Sequence, residues 1–288
     1  MSTSNAIHLK LDHSVILVKD LAEAVEDYTQ LGFTVSPGGS HAGGISRNAL
    51  IHFQDGTFLE LLVMETGVRT QLLKQMYQTG LLKKYEKTAK YGMAHRFYGR
   101  TLDLGGPPPD REGITDFCLL VDQAAGDYIQ MRNQGVQLTP PYHASRLRPD
   151  GQTVNWQMST ALDDALPFFR TDYTPKITRP TTALQHANGV IGTGKMVLFV
   201  DDYATTIQSY QQLLPNQAFE QTEDQLKFTL GNGVIEIVDG NTTIRQQDLA
   251  LVRAQGMGRF AQVMRTNNPD FAQQMQQGNT HGVVFLAE

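Results

Sequence analysis

Two residues of metal-binding type bracket the first folding unit of this 288-residue chain: His13, in the run Leu11–Val18, and Glu60, in the run Phe58–Leu62. An imidazole and a carboxylate can share a divalent cation or pass a proton, but only if the intervening chain curls to bring them together. Glu60 lies between Leu59 and Leu61, and burying a carboxylate there is costly without a cation or hydrogen-bond partners. Arg47 is one such partner by type. A second group, His41, Arg47 and Asn48, flanks a Gly-rich stretch, Ser36–Gly44. As a surface turn these would be solvated polar residues. As a lip over a concave site, Arg47 could grip a carboxylate or phosphate in bidentate fashion and His41 could move a proton.

The elements that must position these residues follow from periodicity. His13–Val18 is a β-branched apolar run of buried-strand type. Asp20 stands at an N-cap position with Glu23 three residues on, and Leu21, Ala24, Val25, Tyr28 and Leu31 recur at helical spacing. Gly32 ends that helix. Phe33–Val35 reads as a strand and Ser36–Gly44 as a flexible connection. Asn48–Phe53 and Thr57–Met64 form a hairpin turning at Gln54-Asp55-Gly56. Val68–Tyr91 has a long helical pattern, and Gly105–Pro109 reads as a linker.

The strand–helix–three-strand pattern then recurs. A second copy opens at Asp116–Val121, and the step from Asp116 to Gly135 equals that from His13 to Gly32. Its later strands are expected at Val136–Leu138, on either side of Pro149-Asp150-Gly151, and near Leu166–Phe169. Trp156, Phe168 and Phe169 fall on its inner strands, as core or as the wall of an apolar ligand site. A third copy places Lys195–Asp202 over His13–Asp20 and Glu236 over Glu60. Segments Ile244–Gln255, Phe260–Arg265 and Pro269–Gln276 read as helical. His281–Leu286 reads as the opening strand of a fourth copy, with His281 on the His13 position. One such unit leaves an apolar sheet face bare, so the units must pair.

Composition limits the function classes. Net charge is −5, and no basic run of five or more residues occurs, which excludes a nucleic-acid footprint. The single cysteine, Cys118, excludes intramolecular disulfides and fits a reducing cytoplasm. No apolar run approaches the ~20 residues of a membrane span, and no signal peptide is recognisable. Gly189–Met196 nearly matches a phosphate-cradling loop, but Met196 replaces the Mg-binding hydroxyl and a strand follows where a helix is needed.

A repeated strand–helix–three-strand unit with His at its start and Glu near its end resembles the vicinal oxygen chelate superfamily. That group includes glyoxalase I, extradiol dioxygenases and resistance proteins. The segment His41–Ile51 with Leu59-Glu60-Leu61 is most similar to its bacterial glyoxalase-like domain families. The resemblance implies an α+β fold of paired βαβββ units in cupped mixed sheets. A first glyoxalase-like domain over 1–175 would hold units 8–65 and 112–172. A second, truncated domain over 185–288 would hold one unit, helices and a C-terminal strand. It also implies a divalent metal (Zn, Mn, Fe or Ni) held by His13, Glu60 and Asp116, with a second, weaker set at Glu236 and His281. Glu60 and His41 would be catalytic, and Arg47, Asn48, Trp156 and Phe168 would bind substrate. Lys195, in place of the third copy's His, could pair with Glu236 as a remnant of a lost site. The expected protein is a cytoplasmic homodimer acting on a small substrate with vicinal oxygens, as a lyase, isomerase or dioxygenase. The rival reading is a metal-free protein that sequesters small molecules.

Overall fold

A computed structural model of the chain describes residues 7–103, 111–255 and 257–288. The first unit runs β1 (Lys10–Leu17), α1 (Leu21–Gln30), β2 (Ser36–His41), β3 (Ser46–His52) and β4 (Phe58–Met64). Two helices follow, α2 (Val68–Gln78) and α3 (Ala89–Tyr98). The second unit is β5 (Gly113–Leu120), α4 (Ala124–Asn133), β6 (Tyr142–Leu147), β7 (Thr153–Thr160) and β8 (Phe168–Arg170). The third is β9 (Val190–Val200), α5 (Tyr203–Leu213), β10 (Phe219–Gln221), β11 (Gln225–Leu230) and β12 (Gly233–Asp239). The chain closes with α6 (Gln246–Gln255), β13 (Phe260–Thr266), α7 (Phe271–Gln277) and β14 (Val284–Ala287).

Units one and two form a closed barrel in the order β1-β4-β3-β2-β6-β7-β8-β5. In each unit the first strand runs parallel to the last, and the units join antiparallel at β1–β5 and again at β2–β6. The second junction was not visible as a strand in the sequence. Ser36–His41 is Gly-rich because its neighbours press in from both sides. A Cβ on Gly39 would lie 2.0 Å from the Leu147 carbonyl oxygen, and one on Gly38 would lie 2.1 Å from Asn48 Oδ1. Glycine here admits a close approach of strands, so the segment expected to be a flexible connection is the strand that closes the barrel. Phe33–Val35, expected as a strand, precedes it as loop, and of Val136–Leu138 only Leu138 makes an isolated bridge, to Ala161.

The remaining strands form an open sheet ordered β10-β11-β12-β9-β13-β14. β13 pairs antiparallel with β9, and β14 pairs parallel with β13. The opening strand of the fourth unit is therefore Phe260–Thr266, read above as helical, and the chain's last strand takes the closing position. His281 precedes β14 with left-handed backbone, φ 50°, and is not on a strand.

One apolar cluster joins barrel and sheet. Ile16, Leu59 and Leu61 on the barrel's outer face belong to the same cluster as Met196, Leu198, Ile235 and Ile237. Burying each such side chain contributes roughly 1.5–3 kcal/mol. The buried bond from Ser14 Oγ to Gln262 Oε1, 2.5 Å, pins β1 to β13 within that contact. Asp20 caps α1 as expected, accepting from the amides of Ala22 and Glu23. The Val68–Tyr91 pattern is broken between α2 and α3, and α3 packs Met93 and Phe97 against Val15, Leu62, Cys118 and Phe168 inside the barrel. Gly105–Pro109 lies outside the described residues. Among the described residues no helix is long and apolar enough to cross a membrane.

Candidate functional site in the barrel

Alternation along β3 and β4 sends Asn48, Phe58 and Glu60 into the barrel and Ala49, Ile51, Leu59 and Leu61 outward to the shared core. His13 on β1 stands beside Phe58 in register and stacks on its ring, with centroids 4.4 Å apart. Phe168 meets the same imidazole edge-on at 5.5 Å. His13 Nε2 reaches Glu60 Oε2 at 3.4 Å, so the unit does curl enough to join its two ends. From β2, His41 Nε2 comes to 3.6 Å from Glu60 Oε1. Asn48 Nδ2 donates to Glu60 Oε1 at 2.5 Å. Trp156 lies edge-on to His41 at 6.2 Å.

The far nitrogen of each imidazole is tethered. His13 Nδ1 meets Asp12 Oδ2 at 2.6 Å, and His41 Nδ1 meets Ser46 Oγ at 2.9 Å. Both rings therefore present Nε2 to one carboxylate. Asp12 is itself fixed, because Arg170 donates Nε and NH2 to its two oxygens at 2.5 and 2.7 Å. A strict period of two would point Asp12 away from His13. A register shift between Leu11 and His13 on the β1–β5 ladder brings both side chains to the same cluster.

Charge follows from these contacts. Burial opposes ionisation of Glu60, but the hydrogen bond from His13, the charges of His41 and His13, and the Asn48 amide outweigh it and bring its pKa to about 2. Burial likewise opposes the His13 imidazolium. Contacts with Cys118, Asp12 and Glu60 override that and hold its pKa well above the usual imidazole value. The Cys118 thiol is itself pushed up to about 11 by burial, so it is uncharged near pH 7 and the two carboxylates are the effective partners. Burial lowers the pKa of His41, against the pull of Glu60.

Four of the site residues read from the sequence lie elsewhere. Arg47 faces away from the barrel interior, is exposed, and pairs with Glu65 rather than with Glu60 or a ligand. Asp116 is held by two buried arginines of the α3 region, Arg96 (2.6 and 2.9 Å) and Arg100 (2.9 Å). It does not join His13 and Glu60; in register Cys118, not Asp116, faces His13. Glu236 and His281 are not together either. Fully buried Glu236 takes a two-pronged grip from Arg245, at 2.7 and 3.1 Å. His281 bridges Glu112 and Asp27, at 3.0 Å each. Lys195 pairs with Glu288, not Glu236. Asp12, Cys118 and Arg170 were missed. The available signal was Arg170 two residues past Phe168, hence on the same strand face.

By residue type, His13, His41 and Glu60 suit a divalent cation. Two imidazole Nε2 atoms and one carboxylate make the facial set that holds ions such as Fe(II) with positions left open. A tethered Nδ1 is the usual outer support of a metal-bound histidine. Among the described residues the donor atoms that all lie within 4.8 Å of one another are those of Asp12, His13 and Cys118, whereas His13 and His41 approach different oxygens of Glu60. Arg170 occupies both oxygens of Asp12, however, which makes Asp12 the support of His13 and leaves Cys118 as the adjoining soft donor.

A barrel of two βαβββ units with such a cluster inside defines a protein of the vicinal oxygen chelate superfamily. Within it, the chain belongs to the glyoxalase-like domain family, whose model matches residues 11–214. A hypothetical protein from Staphylococcus aureus is similar in structure, with TM-score 0.64 and 15% identity over 97% of this chain and 99% of that one. A mutant 4-hydroxymandelate synthase from Streptomyces coelicolor shares the fold at TM-score 0.51 and 9% identity, over 94% of this chain and 75% of that one. No curated protein matches the sequence.

Proposed function

We propose that the protein is a divalent-metal-dependent enzyme of the glyoxalase-like class, acting on a small substrate inside the barrel. His13, Glu60 and His41 would hold the ion. The observation that carries this reading is the approach of both Nε2 atoms to Glu60, at 3.4 and 3.6 Å, with each Nδ1 already tethered. When bound, the ion supplies a Lewis acid for vicinal oxygens of the substrate, of the kind lyases, isomerases and dioxygenases use.

The chain's own residues then have separate tasks. Asp12 fixes the tautomer and direction of the His13 ring, and Asn48 fixes the carboxylate of Glu60. Phe168 and Trp156 flank the two imidazoles and exclude water. His41 serves as ligand, and this replaces the proton-moving role expected of it, since one lone pair cannot do both. Binding the ion releases the proton of His13, so affinity rises with pH.

The test is metal analysis of protein prepared without chelator. Wild type is expected to hold roughly one divalent ion per chain, and His13→Ala and Glu60→Gln less than about a tenth of that. Equal metal content in all three, whether high or nil, would remove the reading. Nil throughout would point to the metal-free sequestering protein.

A further inference from the structure

The same barrel holds more buried positive charge than its carboxylates neutralise. Two arginines, Arg146 and Arg170, lie over Tyr173, and the charge of Arg179 acts on the same groups and on His52. Both guanidiniums stack on the Tyr173 ring, with Arg170 Cζ 4.2 Å and Arg146 Cζ 5.5 Å from its centroid. Arg170 is satisfied by Asp12. Arg146 is not. It is 3% exposed, its Nε has no hydrogen-bond partner, and among the described residues it makes no ion pair. Arg179, half-buried, also makes no ion pair among the described residues.

This arrangement is costly as it stands. A buried guanidinium without a counter-charge is among the least favourable groups a folded chain can carry, and such groups persist where function needs them. The neighbours register the excess charge. Burial, then Arg179 and Arg146, push the His52 pKa down to about 2. Burial, with Arg170 and Arg146, lowers that of Arg179, against the pull of Tyr173. The position is also informative. Arg146 on β6 stands opposite His41 on β2 in the barrel-closing ladder. Directly opposed residues on an antiparallel pair have Cβ atoms about 5 Å apart, so a group held by Arg146 lies beside the imidazole assigned to the ion.

We infer that Arg146 and Arg179 form the binding site for an anionic group, carboxylate or phosphate, of the protein's small-molecule substrate. This names the substrate class of the site proposed above and rests on that reading for its placement beside the ion. The planar forks supply paired donors to two oxygens of one anion. Tyr173 and Trp156, edge-on at 5.3 Å, pack against each other beside Arg146. Arg47, the residue that the sequence suggested for this task, points outward; the residue that can perform it sits on the second unit.

The experiment uses full-length protein in chelator at low salt, so that it does not depend on the ion. Inorganic phosphate and malonate are titrated separately, followed by calorimetry and by thermal shift. Wild type is expected to bind at least one of them saturably, with Arg146→Gln weakening it at least tenfold and Arg179→Gln weakening it less. Arg148→Gln, at a solvent-facing pair with Asp150, should change nothing. Binding of phosphate alone assigns a phosphorylated substrate, and binding of malonate alone assigns a carboxylate. Ligand-free Arg146→Gln should also melt above wild type, because an uncompensated charge has been removed. No saturable binding by wild type, or equal binding by Arg146→Gln, overturns the inference. Absence of metal from wild type in the analysis above, with anion binding intact, would instead overturn only the metal assignment.

Discussion

Glu60 and Glu236 occupy the same place in two copies of one unit: each lies on the closing strand, which pairs parallel with the unit's first strand. Their surroundings differ in kind. Glu236 is fully buried and gripped by Arg245, with Gln225 on the same oxygen, so its charge is cancelled and its lone pairs are used. Glu60 faces two imidazoles at 3.4 and 3.6 Å, groups that can give up protons and ligate. A guanidinium cannot do either. The repeated scaffold supplies the carboxylate twice, and the partner differs: a guanidinium in one copy and two imidazoles in the other.

The comparison breaks first at the arginine-bound carboxylates. Asp116 is the extreme case, with Arg96 and Arg100 both buried around it and carbonyls of the Ala161–Leu166 loop on the same guanidiniums. Asp116→Asn should cost about 3–5 kcal/mol in urea denaturation, because two buried cations lose their counter-charge. Glu236→Gln should cost less, about 2 kcal/mol, since Arg245 is a quarter exposed and keeps Asp248. Both variants should retain the wild-type metal content. Metal loss on Asp116→Asn in a protein that still folds would return Asp116 to the ligand set.

A smaller effect sharpens the same contrast for histidines. His281, outside the barrel cluster, bridges Glu112 and Asp27 and so fastens α1 to the start of the second unit. Burial opposes its charge, but Glu112 and then Asp27 prevail and raise its pKa above the ordinary value of 6.5. A raised folded pKa adds stability that is complete below 6.5 and is lost as pH climbs through the folded value. Melting temperature should therefore fall between pH 6 and 8 more steeply in wild type than in His281→Gln. Parallel profiles would mean that His281 is a neutral packing group.

The repeats were legible because periodicity and turn chemistry are local, whereas the pairing of copies one and two into one cup with His13 and Glu60 inside it followed from the family resemblance. What escaped depended on contacts between units. Ser36–His41 has a loop's composition and becomes a strand only because β3 and β6 crowd it. Phe260–Thr266 reads as helical alone and becomes a strand beside β9. Asp116 has the spacing of a ligand, but α3 delivers two arginines to it from a segment where no motif marks them. Arg170 and Arg146 matter through Asp12 and Tyr173, distant in the chain.

The most direct measurement is an anomalous difference map at the absorption edge of the bound metal, from crystals grown without chelator. A peak within ligand distance of His13 Nε2, Glu60 and His41 Nε2 is the expected result. An empty cluster, or a peak bound by Asp116 or Glu236 instead, would contradict the account.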